Sequence, residues 1–141
     1  MMQGYIGDMP MFTEDRFFTG DLGWFDEKGR LHLKGRKKDV LLMPDGTKIF
    51  CPEYEEDLVH LTGLPDLGIT MKDDRAVLVA GSCSDSPEIA GDLRQKLLKT
   101  VGKYNSTLPR SQQIYDVIVR AEALPRTATG KLKRYELQSQ L

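Results

Sequence analysis

The sequence predicts an α+β fold, in which a small mixed or antiparallel sheet packs against helices and an N-terminal β-hairpin precedes them. Three observations lead to this prediction. Two hairpin patterns come first, helix patterns then alternate with strand patterns, and 40% of the 141 residues are hydrophobic. That length and composition suit one domain with its own core, or one domain with a short appendage.

The N-terminal third of the chain contains the two hairpin patterns. Apolar residues on both sides of the turn at 26–29 alternate as they do in a hairpin. A second apolar run, 40–43, precedes a turn in which Gly46 can adopt a positive φ. The charged sequence GRKKD at 35–39 lies between the two hairpins and marks the expected domain boundary.

The rest of the chain alternates helix and strand patterns. Apolar residues recur at helical spacing after Pro52 and again from Ile89 to Tyr104, where they are expected to pack in the core. Residues 1–10 are expected to form a loop or a severed end. The expected order after the hairpins is a helix from Pro52, strands at 67–71 and 76–80, the long helix, a strand at 114–119, a loop, and a short helix from about Lys133.

Composition argues against several classes of function. Lys and Arg number 20 against 21 Asp and Glu, so the chain lacks the positive excess that binding to nucleic acid requires. No apolar run is long enough to span a membrane, and no signal peptide pattern opens the sequence. Cys51 and Cys83 predict buried thiols in a reducing cytoplasm. His32 and His60 stand alone, which predicts that no metal is bound.

The segment LPRTATGKLKR, residues 124–134, carries the main candidate for chemistry. Lys131 follows Gly130 in a loop crowded with Pro, Thr and Gly, so its ammonium is not committed to a helix face. The segment is basic, but it is not a phosphate-binding P-loop, because Leu132 stands where that motif requires Ser or Thr. Lys131 is therefore expected to act as a mobile point charge on a polyanion. The alternative is a solvated surface charge.

A second candidate group lies upstream. Asp21 follows a Thr-Gly pair at a strand end, where a carboxylate can accept two ribose hydroxyls; the alternative is an Asx turn. Arg36 could hold the same ribose or a phosphate through its guanidinium; the alternative is a strand-end surface arginine. Residues 37–39 are expected to be solvated rather than catalytic.

These segments, in this order, resemble the adenylate-forming enzymes, a superfamily of acyl-CoA synthetases, peptide-synthetase adenylation domains and luciferases. The resemblance rests on TGDLGWFDEKGRLHLKGRKKD at 19–39, the glycine turn at Gly46 and residues 124–134, and MQGY at 2–5 adds to it. The turn PDGTKI most resembles the long-chain fatty acyl-CoA synthetase branch. One departure is Tyr54, which stands within PEYEED where the family usually has Glu-Ile-Glu and leaves the helix register open.

The resemblance implies an acid–thiol ligase that uses Mg²⁺ and ATP to activate a fatty (carboxylic) acid as its acyl-adenylate and then transfers it to coenzyme A. It implies that Asp21 and Arg36 bind the ribose of ATP or AMP, and that Lys38 is a hinge. It further implies that Lys131 stabilises charge during adenylation, and that the loop around Gly46 lines the pantetheine channel. No cofactor is expected to bind tightly to this chain alone.

The resemblance also implies a domain organisation. Residues 1–36 are expected to be the tail of a large N-terminal domain, which would be the partner of a mobile C-terminal domain at 37–141. The isolated chain is expected to be inactive, and the full enzyme to be cytoplasmic, with peripheral membrane association as a further option. Two alternatives stay open: an amino-acid adenylation domain that loads a carrier protein, and a non-catalytic stand-alone docking module.

Overall fold

The computed structural model of the chain describes residues 12–13, 16–82 and 84–141. The chain divides into two compact units, Met1–Lys38 and Asp39–Leu141. The expectations for residues 1–10, for the MQGY segment and for Cys83 lie outside the described residues. Within the described part of the chain, no helix combines the length and apolar character needed to cross a bilayer.

The described part of the first unit contains antiparallel strand pairs. A network around Asp26 closes the turn between the second pair: its carboxylate accepts hydrogen bonds from the backbone amides of Lys28 and Arg30 and contacts His32 Nε2 at 3.0 Å. The hydrogen bond with His32, followed by that from the Arg30 amide, lowers the pKa of Asp26 to about 2. The strands are β1 (Phe12–Thr13) with β2 (Arg16–Phe17), and β3 (Asp21–Phe25) with β4 (Leu31–Arg36).

The second unit confirms the predicted α+β class. Its main sheet has the order β7–β8–β9, in which β7 and β8 are antiparallel and β8 and β9 are parallel. A separate hairpin, β5–β6, precedes the first helix. The elements are β5 (Val40–Leu42), β6 (Lys48–Phe50), α1 (Cys51–Thr62), β7 (Leu67–Lys72), β8 (Arg75–Gly81), α2 (Pro87–Asn105), β9 (Asp116–Arg120) and α3 (Arg134–Ser139).

The main sheet is covered on both faces. Because alternate residues of a strand point to opposite sides, its apolar residues divide between two core clusters. One face packs against α1 and α2, and the other packs against the C-terminal segment that ends in α3. Among the buried residues, Leu58, Ile69, Leu78, Leu97 and Val117 belong to the first cluster, and Val77, Val79, Leu124 and Leu137 belong to the second.

The helical patterns predicted where the helices lie more accurately than they predicted which residues are buried. Ile89 is 54% exposed, so its predicted place in the core is wrong. It lies in the first turn of α2, and the contacts of this helix with the core cluster begin one turn later, at Leu93. Gly63 ends α1: it has a φ of 71°, and its amide donates to the Val59 carbonyl.

Cys51 is a buried thiol, as the sequence predicts, and it should be unreactive in the native protein. Burial is the main cause that raises its pKa to about 12, so folding disfavours the nucleophilic thiolate. The buried neutral thiol contributes fully to stability below about pH 8.5, the pKa of cysteine in an unfolded chain. This contribution is lost as the pH rises towards 12. Peptide mapping after iodoacetamide treatment at pH 8 should find Cys51 alkylated in denaturant and unmodified without it. Rapid labelling of the native protein would contradict this.

Candidate functional site

Asp21 and Arg36 face each other at the open end of the β3–β4 hairpin. They are cross-strand partners, and Arg36 Nε lies 3.7 Å from Asp21 Oδ1. This separation is too long for a hydrogen bond, so the ion pair leaves donors and acceptors on both exposed side chains free for a ligand. The chain turns into this position at Gly20, which has a φ of 76° and whose carbonyl accepts the Lys37 amide at 2.8 Å.

Asp21 does not form the Asx turn that was its alternative. Its amide donates to Thr19 Oγ1 at 3.2 Å, so the threonine side chain makes the local turn. In the described part of this hairpin, the aspartate that binds backbone amides is Asp26. The Asp21 carboxylate is therefore left with Arg36.

The segment of the predicted hinge forms a single turn of 3₁₀ helix, Lys37–Asp39. Lys38 is exposed, and the division between the two compact units falls directly after it. Asp39 was expected to be solvated, which is wrong: it is half-buried, and its Oδ1 accepts a hydrogen bond from Arg134 Nε at 3.2 Å. The guanidinium that causes this difference lies 95 positions further along the chain.

Gly46 lies at the exposed tip of the β5–β6 hairpin with a φ of 83°. Its amide donates to the Met43 carbonyl at 2.9 Å, and the Met43 amide donates to the Thr47 carbonyl at 2.8 Å. Asp45 Oδ1 accepts the Thr47 amide at 2.9 Å, and this bond lowers the pKa of the Asp45 carboxyl. The result is a rigid tip beside an open cavity of about 530 Å³, which Asp45 and Asp74 help to line.

Lys131 occupies a closed loop that its own backbone holds together. Arg126 and Leu132 form a β-bridge, and the Thr127 amide donates to the Lys131 carbonyl at 2.8 Å. The Lys131 amide donates to Thr127 Oγ1 at 3.1 Å. Gly130 closes the turn with a φ of 82° and donates to the Thr127 carbonyl at 2.9 Å. The loop therefore has a defined backbone although it lies outside helices and strands.

The side chains of Lys131 and Leu132 have opposite environments. Leu132 packs with the second core cluster, and a Cβ added at Gly68 would lie 2.6 Å from Leu132 Cδ2. Glycine at this point of β7 therefore admits the leucine. Lys131 is exposed, and its ammonium makes no hydrogen bond or ion pair with any residue that the structure describes.

The other basic residues of this segment form ion pairs, which the sequence did not reveal. Each has an acidic partner within the second unit, so the basic segment presents one uncommitted ammonium in the described residues. The pairs are Arg126 with Asp66 at 3.1 Å, Lys133 with Glu136 at 2.8 Å, and Arg134 with Glu55 and with Asp39.

Asp66 and Glu55 are the residues of this site that sequence reasoning missed. Glu55 binds Arg134 with both carboxylate oxygens, and its Oε1 also accepts the Ile69 amide at 2.7 Å. Tyr54 is 7% exposed and fills the buried position of the helix turn. The tyrosine therefore leaves the register of α1 intact, which settles the question that the PEYEED sequence raised.

Lys131 and Gly46 lie at opposite ends of the main sheet. The lysine loop meets the start of β7, where Arg126 Nη2 donates to the Leu67 carbonyl at 3.4 Å. The glycine turn shares its cavity with Asp74, which follows the end of β7. A strand of this length spans about 17 Å. The structure therefore keeps these two candidate residues apart within one compact unit.

Comparison with known proteins finds similar CoA ligases, although no family model matches the chain. The 2-succinylbenzoate–CoA ligase of Bacillus licheniformis is 28% identical over an alignment of 148 positions, which covers 97% of this chain and 28% of the relative. A long-chain-fatty-acid–CoA ligase of Mycobacterium tuberculosis is 25% identical over 130 residues, which cover 92% and 25%. The chain thus spans about a quarter of the length of the curated relatives it matches.

Solved structures agree with the sequence comparison. An ATP-bound chimera of RpMatB and BxBclM matches with a TM-score of 0.60 and 26% identity, over 92% of this chain and 26% of the other. The three sequence segments, the mixed sheet with its helices and these similarities are consistent with one another. The chain is similar to adenylate-forming acyl-CoA ligases and has the fold of their C-terminal domain.

Proposed function

We propose that the chain is the lysine-bearing C-terminal domain of an ATP-dependent acyl-CoA ligase. Such an enzyme activates a carboxylic acid as an acyl-adenylate, with release of pyrophosphate, and then transfers the acyl group to coenzyme A. The observation that carries the proposal is the exposed ammonium of Lys131 on a braced loop whose other basic residues are already paired. A free charge on an ordered backbone suits the stabilisation of a charged transition state.

In the adenylation step, Lys131 is the proposed catalytic residue. Its ammonium would contact the acid carboxylate and the α-phosphate of ATP, where negative charge is concentrated as the new bond forms. Mg²⁺ would supply further charge neutralisation on the phosphates when it is bound. Lysine suits this role because its ammonium is a compact charge on a flexible stem.

Asp21 and Arg36 are proposed to bind the ribose of ATP. The 3.7 Å ion pair orients the carboxylate without using its hydrogen-bonding capacity, so two sugar hydroxyls can donate to it. The ATP-bound state of a matched structure supports nucleotide use by this family.

The second half-reaction is proposed to use the other end of the sheet. Gly46 would line the pantetheine channel, and Lys38 would be the hinge about which the domain turns. The separation of Lys131 from Gly46 supports this, because a compact unit can present either end to a fixed site but not both together. The division of the chain directly after Lys38 supports the position of the hinge.

The partner is proposed to be a large N-terminal domain of the same enzyme, and the substrates a fatty acid and coenzyme A. The share of about a quarter that the chain covers in its relatives supports a larger enzyme. The acids named for those relatives differ, from 2-succinylbenzoate to long-chain fatty acids. A fatty acid is therefore a more specific proposal than a carboxylic acid. Location in the cytoplasm, with or without contact to a membrane surface, stays a prediction.

The test is an assay of the enzyme that carries this chain. We expect acid-dependent pyrophosphate release from ATP and, on addition of coenzyme A, an acyl thioester. The purified chain alone should release no pyrophosphate. Loading of a carrier protein in place of coenzyme A would favour the amino-acid alternative. Turnover by the chain alone, or no acid-dependent release by the enzyme, would contradict the proposal.

A further inference from the structure

Arg126 makes contacts that join the lysine loop to the main sheet. Its Nη1 donates to the Gly130 carbonyl at 3.1 Å. On the other side of the same guanidinium, Nε and Nη2 donate to Asp66 Oδ1, each at 3.1 Å. Nη2 also donates to the Leu67 carbonyl at 3.4 Å. One planar group thus spans the loop tip and the beginning of β7.

Asp66, which accepts hydrogen bonds from Arg126, is itself held in place. Asp66 Oδ2 accepts the Leu124 amide at 2.9 Å, and the Asp66 carbonyl accepts the Gly81 amide at 3.0 Å. Leu124 is 4% exposed and belongs to the second core cluster. Asp66 is therefore a rigid acceptor, and the position of the Arg126 guanidinium is determined by the sheet.

The hydrogen bond from Arg126 to the Gly130 carbonyl affects Lys131, the candidate catalytic residue. Gly130 directly precedes Lys131, so the contact of its carbonyl with Arg126 fixes the peptide plane from which the lysine side chain departs. The hydrogen bonds of Thr127 hold the loop together internally, but they do not orient it relative to the sheet. That orientation comes from Arg126 and from Leu132, which packs with the second core cluster and beside Gly68 of β7.

We infer that Arg126 is a positioning residue for Lys131. Its guanidinium links the Gly130 carbonyl to Asp66 and thereby orients the lysine ammonium. This inference rests on the proposed function of Lys131. A misplacement of about 1 Å in a catalytic group can cost up to about 100-fold in rate. The planar guanidinium is needed because its donors point in fixed, different directions, whereas an ammonium is a point charge.

The substitution Arg126→Lys separates geometry from charge. Lysine keeps the positive charge and can pair with Asp66, but it cannot also reach the Gly130 carbonyl. Lys133→Gln is the matched control, because it removes a charge from the same segment and breaks only an exposed pair with Glu136. Arg126→Gln removes both charge and geometry.

Backbone order in the 141-residue chain is the first measurement. ¹⁵N relaxation should show order parameters at the Gly130 and Lys131 amides falling from about 0.85 to below about 0.6 in R126K. The K133Q protein should keep the original values, and the Gly46 amide should be unchanged in both. Order parameters at Lys131 that stay near 0.85 in R126K and R126Q would overturn the inference.

A double-mutant cycle in the enzyme that carries the chain is the second measurement. R126K should lower the rate of acyl-adenylate formation about 10-fold to 100-fold, and K133Q should leave it unchanged. In a Lys131→Ala background, R126K should have no further effect, because the group that it positions is gone. An undiminished loss in that background, or wild-type activity of R126K, would overturn the inference. A Lys131→Ala enzyme with normal adenylation would instead refute the proposed function.

Discussion

Replacing Lys131 by alanine in the enzyme that carries this chain should slow acyl-adenylate formation about 100-fold to 1,000-fold. The expected loss corresponds to about 3 kcal/mol of transition-state stabilisation, the usual magnitude for one preorganised charge contact. The ammonium is exposed and unpaired in the described residues, so its removal should leave the fold intact. Thioester formation from a pre-formed acyl-adenylate should change little, because the proposed mechanism presents the opposite end of the domain in that step.

The two half-reactions can be measured separately. Pyrophosphate exchange reports adenylation, and single-turnover transfer from purified acyl-adenylate to coenzyme A reports the second step. Lys133→Ala is the control, because it removes a neighbouring charge from the same segment. Equal losses in both half-reactions for Lys131→Ala would contradict the assigned role, and so would equal losses for the two lysine variants.

The substitution Arg134→Met should destabilise the second unit by about 3–5 kcal/mol, the usual cost of removing one member of a buried ion pair. The Arg134 side chain is 10% exposed, and that of its partner Glu55 is 17% exposed. The guanidinium also donates to the Ile69 carbonyl at 2.8 Å and to Asp39 at 3.2 Å. Methionine fills the space but leaves these acceptors without their donor.

Urea denaturation, followed by circular dichroism, measures this effect. Lys133→Met is the matched control and should cost less than about 1 kcal/mol, since exposed pairs contribute little. The double variant with Glu55→Gln and Arg134→Met should recover part of the loss, because the unpaired carboxylate is then removed. An R134M protein as stable as the K133M control would show that the ion-pair network contributes little to folding.

The parts of the fold that the sequence predicted depend on local patterns. The hairpin around 26–29 and the turn at Gly46 follow from residues that lie next to one another in the chain. The long helix follows from a spacing of three and four residues. The placement of Lys131 outside a helix follows equally from its neighbours, Gly130 and Pro125.

The connections that hold the candidate site could not be predicted, because their partners are far apart in the sequence. Arg126 and Asp66 are separated by 60 positions, and Arg134 and Glu55 by 79. No local spacing relates such pairs, so the basic segment could not be divided into occupied and free charges. The exposure of Ile89 has a similar origin: periodicity gives the apolar stripe of a helix, but not the length over which another element covers it.

One consequence of the arginine contacts concerns self-association. β7 is the outermost strand of its sheet on the side away from β8, and such a strand normally offers unpaired backbone groups to a second chain. Here the Leu67 carbonyl accepts from Arg126, the Ile69 amide donates to Glu55, and the Ile69 carbonyl accepts from Arg134. These charged side chains occupy backbone groups to which a second strand would have to pair, so they disfavour edge-to-edge aggregation. Arg126 therefore has this effect in addition to bracing the lysine loop.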